Sequence, residues 1–259
     1  MIFYLSCTGN TRWAAEQIAN ALNDRLVFMP QATNQTFTLA ENEPIGFCFP
    51  VHGWRPPLLV RNFIQQLRLQ RNGSHYCFAL CTAGDNIGET MKLLASDLQT
   101  IGLTLDCTCS LIMPESYVGL PFMDVDTIEN ERKKKTQAAK DLAQFIEIVK
   151  HKQHADGTLH VGRWPRINSR LIGGFFVKHL ITDAPFHVNA DRCIRCGLCA
   201  DVCPVENIKG GRNQMPVWQH SGACLSCFNC YHHCPRHAIE YGSRTKNKGQ
   251  YYYLKNADS

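Results

Sequence analysis

Cys193-Ile194-Arg195-Cys196-Gly197-Leu198-Cys199-Ala200-Asp201-Val202-Cys203-Pro204 decides how the last third of this chain folds. Cys224-Leu225-Ser226-Cys227-Phe228-Asn229-Cys230-Tyr231-His232-His233-Cys234-Pro235 repeats it. Both runs read C-x2-C-x2-C-x3-C-P, and the second follows the first at one constant offset, from Cys193 and Cys224 through to Cys203 and Cys234. The chain holds 14 cysteines; eight fall in these runs, and Cys7, Cys48, Cys77, Cys81, Cys107 and Cys109 are scattered over its N-terminal part. A disulfide-stapled domain does not bunch its cysteines this way, and thiols in a reducing compartment stay free. Short fixed spacing is a metal signature. Zinc also takes four thiolates in C-x2-C pairs, but it has no use for a third cysteine per run followed by a trailing Cys-Pro.

The spacing resembles that of bacterial dicluster ferredoxins and is specific to them. Three thiolates two residues apart wrap three iron corners of a cubane, and the fourth, before proline, points away to the other cluster. The resemblance implies one [4Fe-4S] cluster on Cys193, Cys196, Cys199 and Cys234, and a second on Cys224, Cys227, Cys230 and Cys203. Residues 184–243 are similar to that family along their length, with Asp191 and Pro216-Val217 at its strand entries. His232 and His233 lie between ligands but fall outside a complete cysteine set. Arg195 and Asn229 are candidates for tuning a cluster by charge or hydrogen bonding.

Working outward, residues 1–150 alternate strand-like and helix-like segments. Strands are expected over 2–5, 26–29, 44–49, 76–81 and 103–113, and helices from Thr11 and over 57–69, 88–101 and 127–150. In the first helix Ala14, Ile18, Ala21 and Leu22 recur at i, i+4, i+7 and i+8, the spacing of one helical face. Strands alternating with helices imply a parallel α/β sheet covered on both sides, here five-stranded and doubly wound. Ligands of such sheets sit beyond the carboxyl ends of the strands at the switch point, which singles out the loops 6–11, 50–54 and 82–85. Residues 151–183 read as a linker with a short helix near 167–180, and a strand over Phe186–Val188 opens the second domain. The expected division is therefore 1–150, a linker over 151–183, and a smaller α+β domain over 184–259 that includes a C-terminal tail.

Ser6-Cys7-Thr8-Gly9-Asn10-Thr11 sits between a strand and a helix, where small hydroxyl residues and a glycine let backbone N–H groups surround a phosphate. It lacks the lysine of a Walker A loop and the G-x-G-x-x-G of a dinucleotide fold. Plain helix capping is the bland alternative. The loop resembles the [ST]-x-T-G-[NT]-T phosphate loop of flavodoxins. That resemblance implies a doubly wound flavodoxin-like domain with FMN bound by Ser6, Thr8, Gly9, Asn10 and Thr11, and the flavin ring flanked by Pro50, His52, Gly53 and Trp54 and by Thr82, Ala83, Gly84 and Asp85. His52 stands where relatives would carry an aromatic residue, and Ala83 where they would carry a cysteine. Trp54 either stacks on the flavin or packs in the core. The whole chain is similar to a bacterial fusion of a flavodoxin-like domain with a dicluster ferredoxin.

Composition agrees with two globular domains: 259 residues at ~150 per domain give about 1.7, with 44% apolar and 19% charged residues. The longest apolar runs fall far short of the ~18 residues a membrane span needs. No basic leader or signal segment is evident at the N-terminus, so the expected location is cytoplasmic. The formal charge is +5, 27 basic minus 22 acidic residues. Two oxidised clusters with their thiolates would bring that to about +1 and a phosphate to about −1, so the charge does not argue for nucleic acid. Three functions are expected in turn. The first is an electron carrier passing electrons between two clusters and FMN, linking one-electron and two-electron redox partners. The second is an FMN-dependent reductase of a small molecule fed by its own clusters, with His52 as proton donor. The third is a docking module that has lost its flavin and meets an acidic partner through Arg163, Arg166, Arg170, Lys246 and Lys248.

Overall fold

The computed structural model describes residues 1–255; residues 256–259, which the expected C-terminal domain includes, lie outside them. Five of the apolar runs form one parallel sheet: β1 (Ile2–Tyr4), β2 (Leu26–Phe28), β4 (Ile45–Pro50), β6 (Cys77–Ala83) and β7 (Cys107–Ile112), in the order β2-β1-β4-β6-β7. Counted among themselves these are strands 2-1-3-4-5, the flavodoxin-like order. The register runs Ile2 opposite Leu26 and Gly46, Ile45 opposite Cys77, and Phe78 opposite Cys107.

Strands β1 and β4 are continuously apolar, and β6 nearly so, because both faces are covered. Phe3, Phe47, Phe49, Ala79 and Cys81 face α2 (Leu58–Gln66) and α3 (Thr90–Gln99), meeting Val60, Phe63, Leu94 and Leu98. The alternate residues Ile2, Cys48, Phe78, Leu80 and Cys109 face α1 (Asn10–Leu22) and α4 (Ile128–Lys150), meeting Ala14, Ile18, Leu142 and Phe145. This is the period-2 alternation of a strand. At Gly46 the Phe78 ring fills the space that a Cβ would need.

Most boundaries fall within a residue or two of the sequence expectation, and two differ by more. Helix α2 stops at Gln66, Leu67 turns extended, and β5 (Arg68–Gln70) pairs in parallel with β3 (Thr36–Thr38) as a small separate sheet. Phe37 and Leu69 thereby join the core, a pairing between separated segments that local periodicity does not register. The fifth strand begins at Cys107, not at residue 103, because Leu103 is spent on the preceding helix end, its N–H bonding Leu98 O at 3.0 Å beyond the left-handed Gly102.

Residues 156–160 run along β7: Gly157 N donates to Thr108 O (2.9 Å), Ser110 N to Thr158 O (2.8 Å), and Asp156 accepts from the N–H and hydroxyl of Thr108. A π-helical turn (Ile167–Ile172) then leads into α5 (Gly173–His179). Beyond it, β8 (Phe186–Val188) pairs antiparallel with β11 (Ile239–Tyr241), and β9 (Ile208–Lys209) with β10 (Val217–Trp218). Between them lie α6 (Leu198–Asp201) and α7 (Asn229–His232). Phe186, Trp218, Phe228, Tyr231 and Tyr241 fill this smaller core.

The two parts are joined by specific contacts. Buried His232 bonds Ser116 O through Nε2 (2.7 Å) and Tyr251 N through Nδ1 (3.1 Å). A backbone N–H can only donate, so the ring is the neutral Nε2–H tautomer. Lys248 Nζ reaches Val118 O (2.9 Å) and also the carbonyl of Leu120. Residues 250–254 form no strand and lie across both parts. Among the described residues no helix is long and apolar enough to cross a membrane.

Candidate metal centre and cofactor cavity

The phosphate-loop candidate opens α1. Gly9, the N-cap residue, is left-handed (φ 100°) and has no side chain to cap the helix. Ser6 Oγ accepts from Arg12 N at 3.1 Å, and Thr11 Oγ1 bonds Thr82 Oγ1 at 2.8 Å, tying the loop after β1 to the end of β6. Ser6, Thr8, Asn10 and Thr11 line one cavity of about 490 Å³ together with Pro50, His52, Gly53 and Trp54, and with Thr82, Ala83, Gly84 and Asp85. Three loops far apart in sequence thus converge at the carboxyl ends of three strands. Gly9 alone among the expected residues is absent from the wall; a Cβ there would stand 2.9 Å from Tyr253 Cβ.

The cavity wall sets polar groups among apolar and aromatic ones. Asn86 Oδ1, on the wall, is buried without a hydrogen-bond partner, a group that costs stability until something donates to it. Burial lowers the pKa of His52 to about 4, so its ring is neutral near pH 7. Glu115 supplies the opposite case: its Oε1 accepts from Ser116 N (2.9 Å) and Tyr117 N (2.8 Å), while burial raises its pKa. Its Oε2 occupies the space that a Cβ of Gly84 would need, so only glycine leaves room. The sequence reading does not place Asn86, Glu115, Tyr117 or the α5 residues Phe175 and Phe176 in the site, yet all are on this wall. Glu115 carries a usable signal, since it follows the fifth strand at its carboxyl end. Phe175 and Phe176 carry none, because nothing local brings a linker helix over the sheet.

The eight clustered cysteines surround two voids. One is lined by Cys193, Cys196, Cys199 and Cys234, the other by Cys203, Cys224, Cys227 and Cys230. Each void therefore takes three cysteines from one run and one from the other. All eight are free thiols. The sequence repeat extends to the backbone: Arg195 and Ser226 (φ 55° and 48°), Gly197 and Phe228 (φ 86° and 58°), and Glu206 and His237 (φ 52° and 45°) are left-handed at matching positions. These turns aim N–H groups at sulfur. Asn207 N donates to Cys203 Sγ at 3.3 Å, and its counterpart Ala238 N donates to Cys234 Sγ at 3.2 Å. Thiolate donors with N–H groups aimed at them fit an iron–sulfur cluster. Among the described residues no three His, Cys, Asp or Glu side chains are gathered closely enough to hold a single metal ion.

Residues 186–235 match the family model of a 4Fe-4S dicluster domain. The chain carries a 4Fe-4S dicluster domain at its C-terminal end. Iron–sulfur electron transfer is the chemistry this domain brings, and it implies redox partners. No curated protein matches the chain. Among solved structures it is similar to rubredoxin oxygen:oxidoreductase from the anaerobe Desulfovibrio gigas, at 18% identity and a TM-score of 0.30. That likeness covers 58% of this chain and 36% of the other, so the chain spans about a third of that protein, too loosely to bear on fold or function.

The dicluster domain abuts the cavity. Leu225 and Cys227 line both the cavity and the void of Cys203, Cys224, Cys227 and Cys230. Cys7, in the loop after β1, lies on the cavity wall with Cys227 and packs against the same core. The other void lies at the surface, where Cys196 is exposed. Of the six scattered cysteines, Cys48, Cys77, Cys81, Cys107 and Cys109 are buried strand residues, and Cys7 is the one at the junction.

Proposed function

We propose that this chain holds two [4Fe-4S] clusters and one FMN and passes electrons between them, linking one-electron and two-electron redox partners. The observation that carries this reading is the wall shared by the cavity and the void around Cys227. Cys203, Cys224, Cys227 and Cys230 would hold the inner cluster, and Cys193, Cys196, Cys199 and Cys234 the outer one. Clusters supply single-electron steps, and a flavin accepts one or two electrons. The protein's part is positional. Exposed Cys196 puts the outer centre within reach of a partner, Cys227 bridges the inner centre to the cavity, and Ser6, Thr8, Gly9, Asn10 and Thr11 would receive the phosphate at the start of α1. Pro50, His52, Gly53 and Trp54 on one side and Thr82, Ala83, Gly84 and Asp85 on the other would flank the ring. Units of 1–150 and 184–259 joined by residues 151–183 suit this division of labour.

The reductase alternative is less well supported. It needs a proton donor beside the flavin, and His52, neutral down to about pH 4, does not supply one near pH 7. The docking alternative loses part of its basic set as well. Arg170 bonds Glu89 at 2.7 Å and Lys248 is spent on backbone carbonyls, although Arg163 and Lys246 stay exposed. The test is the flavin, iron and sulfide content of protein purified without oxygen. About eight irons, eight sulfides and one FMN per chain are expected. Eight irons without flavin, even after FMN is added, would refute the flavin half, and zinc in place of iron and sulfide would refute the whole.

A further inference from the structure

Helix α5 and the turn before it carry an exposed apolar surface; Ile172 and Phe175 border the cavity, but Trp164, Ile167 and Leu171 lie outside its wall. Between Arg163 and Lys178 the exposed side chains are Trp164, Ile167, Leu171, Ile172 and Phe175 together with Arg163, Arg166, Arg170 and Lys178. No exposed neutral polar or acidic side chain interrupts them, and residues 157–182 contain no Asp or Glu. The apolar members recur at helical spacing and stand well clear of the protein: Trp164 is 67% exposed, Leu171 72% and Phe175 59%. Phe122, 83% exposed, protrudes from the loop before α4 and lines the same cavity as Phe175. Soluble monomers rarely leave such a cluster to water.

We infer that this surface docks on an anionic lipid bilayer. An exposed apolar stripe with Trp and Phe, edged only by Arg and Lys, is the pattern of a helix lying in the headgroup plane, with its cations reaching the phosphates. A second copy of the chain is a poorer occupant, since it would set Arg163, Arg166 and Lys178 against their own kind with no acid in the segment to meet them. An acidic protein partner would be expected to find hydrogen-bonding side chains in the patch, and the stripe offers none besides its cations. Glu89 is the acid that faces the helix; it holds Arg170 at 2.7 Å, lies 4.0 Å from Arg166, and sits under the protein surface. Docking in this sense is peripheral and needs no membrane-spanning helix. The inference does not depend on whether flavin is bound.

The experiment is co-sedimentation of the full chain, with its clusters, on vesicles of phosphatidylglycerol and phosphatidylcholine in equal parts and on phosphatidylcholine alone. Each basic residue near an anionic surface is worth about fivefold in partitioning. Binding to the mixed vesicles should therefore exceed binding to the neutral ones by on the order of tenfold or more, and should fall with added salt. Leu171→Glu, at a position outside the cavity wall, should lose on the order of tenfold or more while keeping the iron absorbance of the parent. Equal binding by that variant would show nonspecific adsorption and overturn the proposal. So would no binding to mixed vesicles at low salt, or a stable dimer in solution that Leu171→Glu dissolves.

Discussion

At Gly197 the backbone takes φ 86°, and a Cβ would stand 2.7 Å from Arg212 Cγ. The same position in the second repeat is Phe228, held left-handed by the aromatic cage of Tyr117, Phe186, Tyr231 and Tyr241. One repeat thus relies on glycine's freedom and the other on packing. Gly197→Ala should cost about 1–3 kcal/mol and lower the iron retained by the outer site, read as iron per chain after anaerobic reconstitution. Parent-like iron content would show the turn to be tolerant. His52 offers a second residue-scale test. Its pKa is lowered by burial, so the native ring stays neutral in the window from about 6.5 down to about 4, where an unfolded histidine takes up a proton. Stability contributed by burying the neutral ring is present above pH 6.5 and declines as the pH falls through that window. A histidine-ring NMR titration, with His52→Gln to assign the signal, should show no charge change at His52 between pH 8 and pH 5. A midpoint near 6.5 would contradict the burial. The strand cysteines need no redox role: burial raises Cys109 to about 12, so its thiol behaves as a small apolar group.

At the scale of elements, the last described segment acts as a strap. Tyr253 N donates to Thr8 O (2.8 Å), Tyr251 Oη donates to Asn10 Oδ1 (2.5 Å), and Gln250 Nε2 bonds Tyr231 O (2.6 Å) and Cys234 O (2.8 Å). Trp13 stacks on Tyr253 at 5.4 Å, and Lys135 lies over the rings of Tyr251 and Tyr253. One short peptide therefore ties the phosphate-loop candidate to Cys234, a proposed cluster ligand. Removing residues 250–259 should weaken FMN binding about 5- to 30-fold, the loss of one to two kcal/mol of loop ordering. Iron content should hardly change. Fluorescence titration of flavin-free protein with FMN reads the first quantity, and an unchanged affinity would show that the loop holds its shape unaided. Tyrosines near one end of the chain announce none of this in sequence, because their partners Thr8 and Asn10 stand near the other.

At the scale of the whole molecule, the order of the centres is the testable matter. With the Cys227 void against the cavity and the Cys196 void at the surface, the two proposed clusters would not be interchangeable. Cys203→Ser should impair the inner cluster and cut flavin reduction by an external one-electron donor by tenfold or more, while the outer cluster still reduces. Cys234→Ser should disturb the outer cluster, although the residue lies in the second run. Low-temperature EPR of the reduced variants separates the two signals, and stopped-flow flavin absorbance reads the transfer. A flavin reduced equally fast without the inner cluster would refute the path.

How much of this was legible follows from where the information lies. The C-x2-C-x2-C-x3-C-P runs, the parallel α/β sheet and the loop positions at strand ends could be read directly, because each rests on short-range spacing and on side-chain chemistry that tolerates few substitutes. The exchange of Cys203 and Cys234 between the two sites was likewise implied by the proline-terminated pattern. Tertiary structure alone decided the rest: β3 pairing with β5, Phe175 and Phe176 closing the cavity, Gly9 seating Tyr253, Glu115 fitting against Gly84, and Cys7 sharing the cavity wall with Cys227. Each of these joins residues from separate parts of the chain through packing or a hydrogen bond. Local propensity carries no trace of such contacts, since their free energy exists only once the whole chain has closed around them.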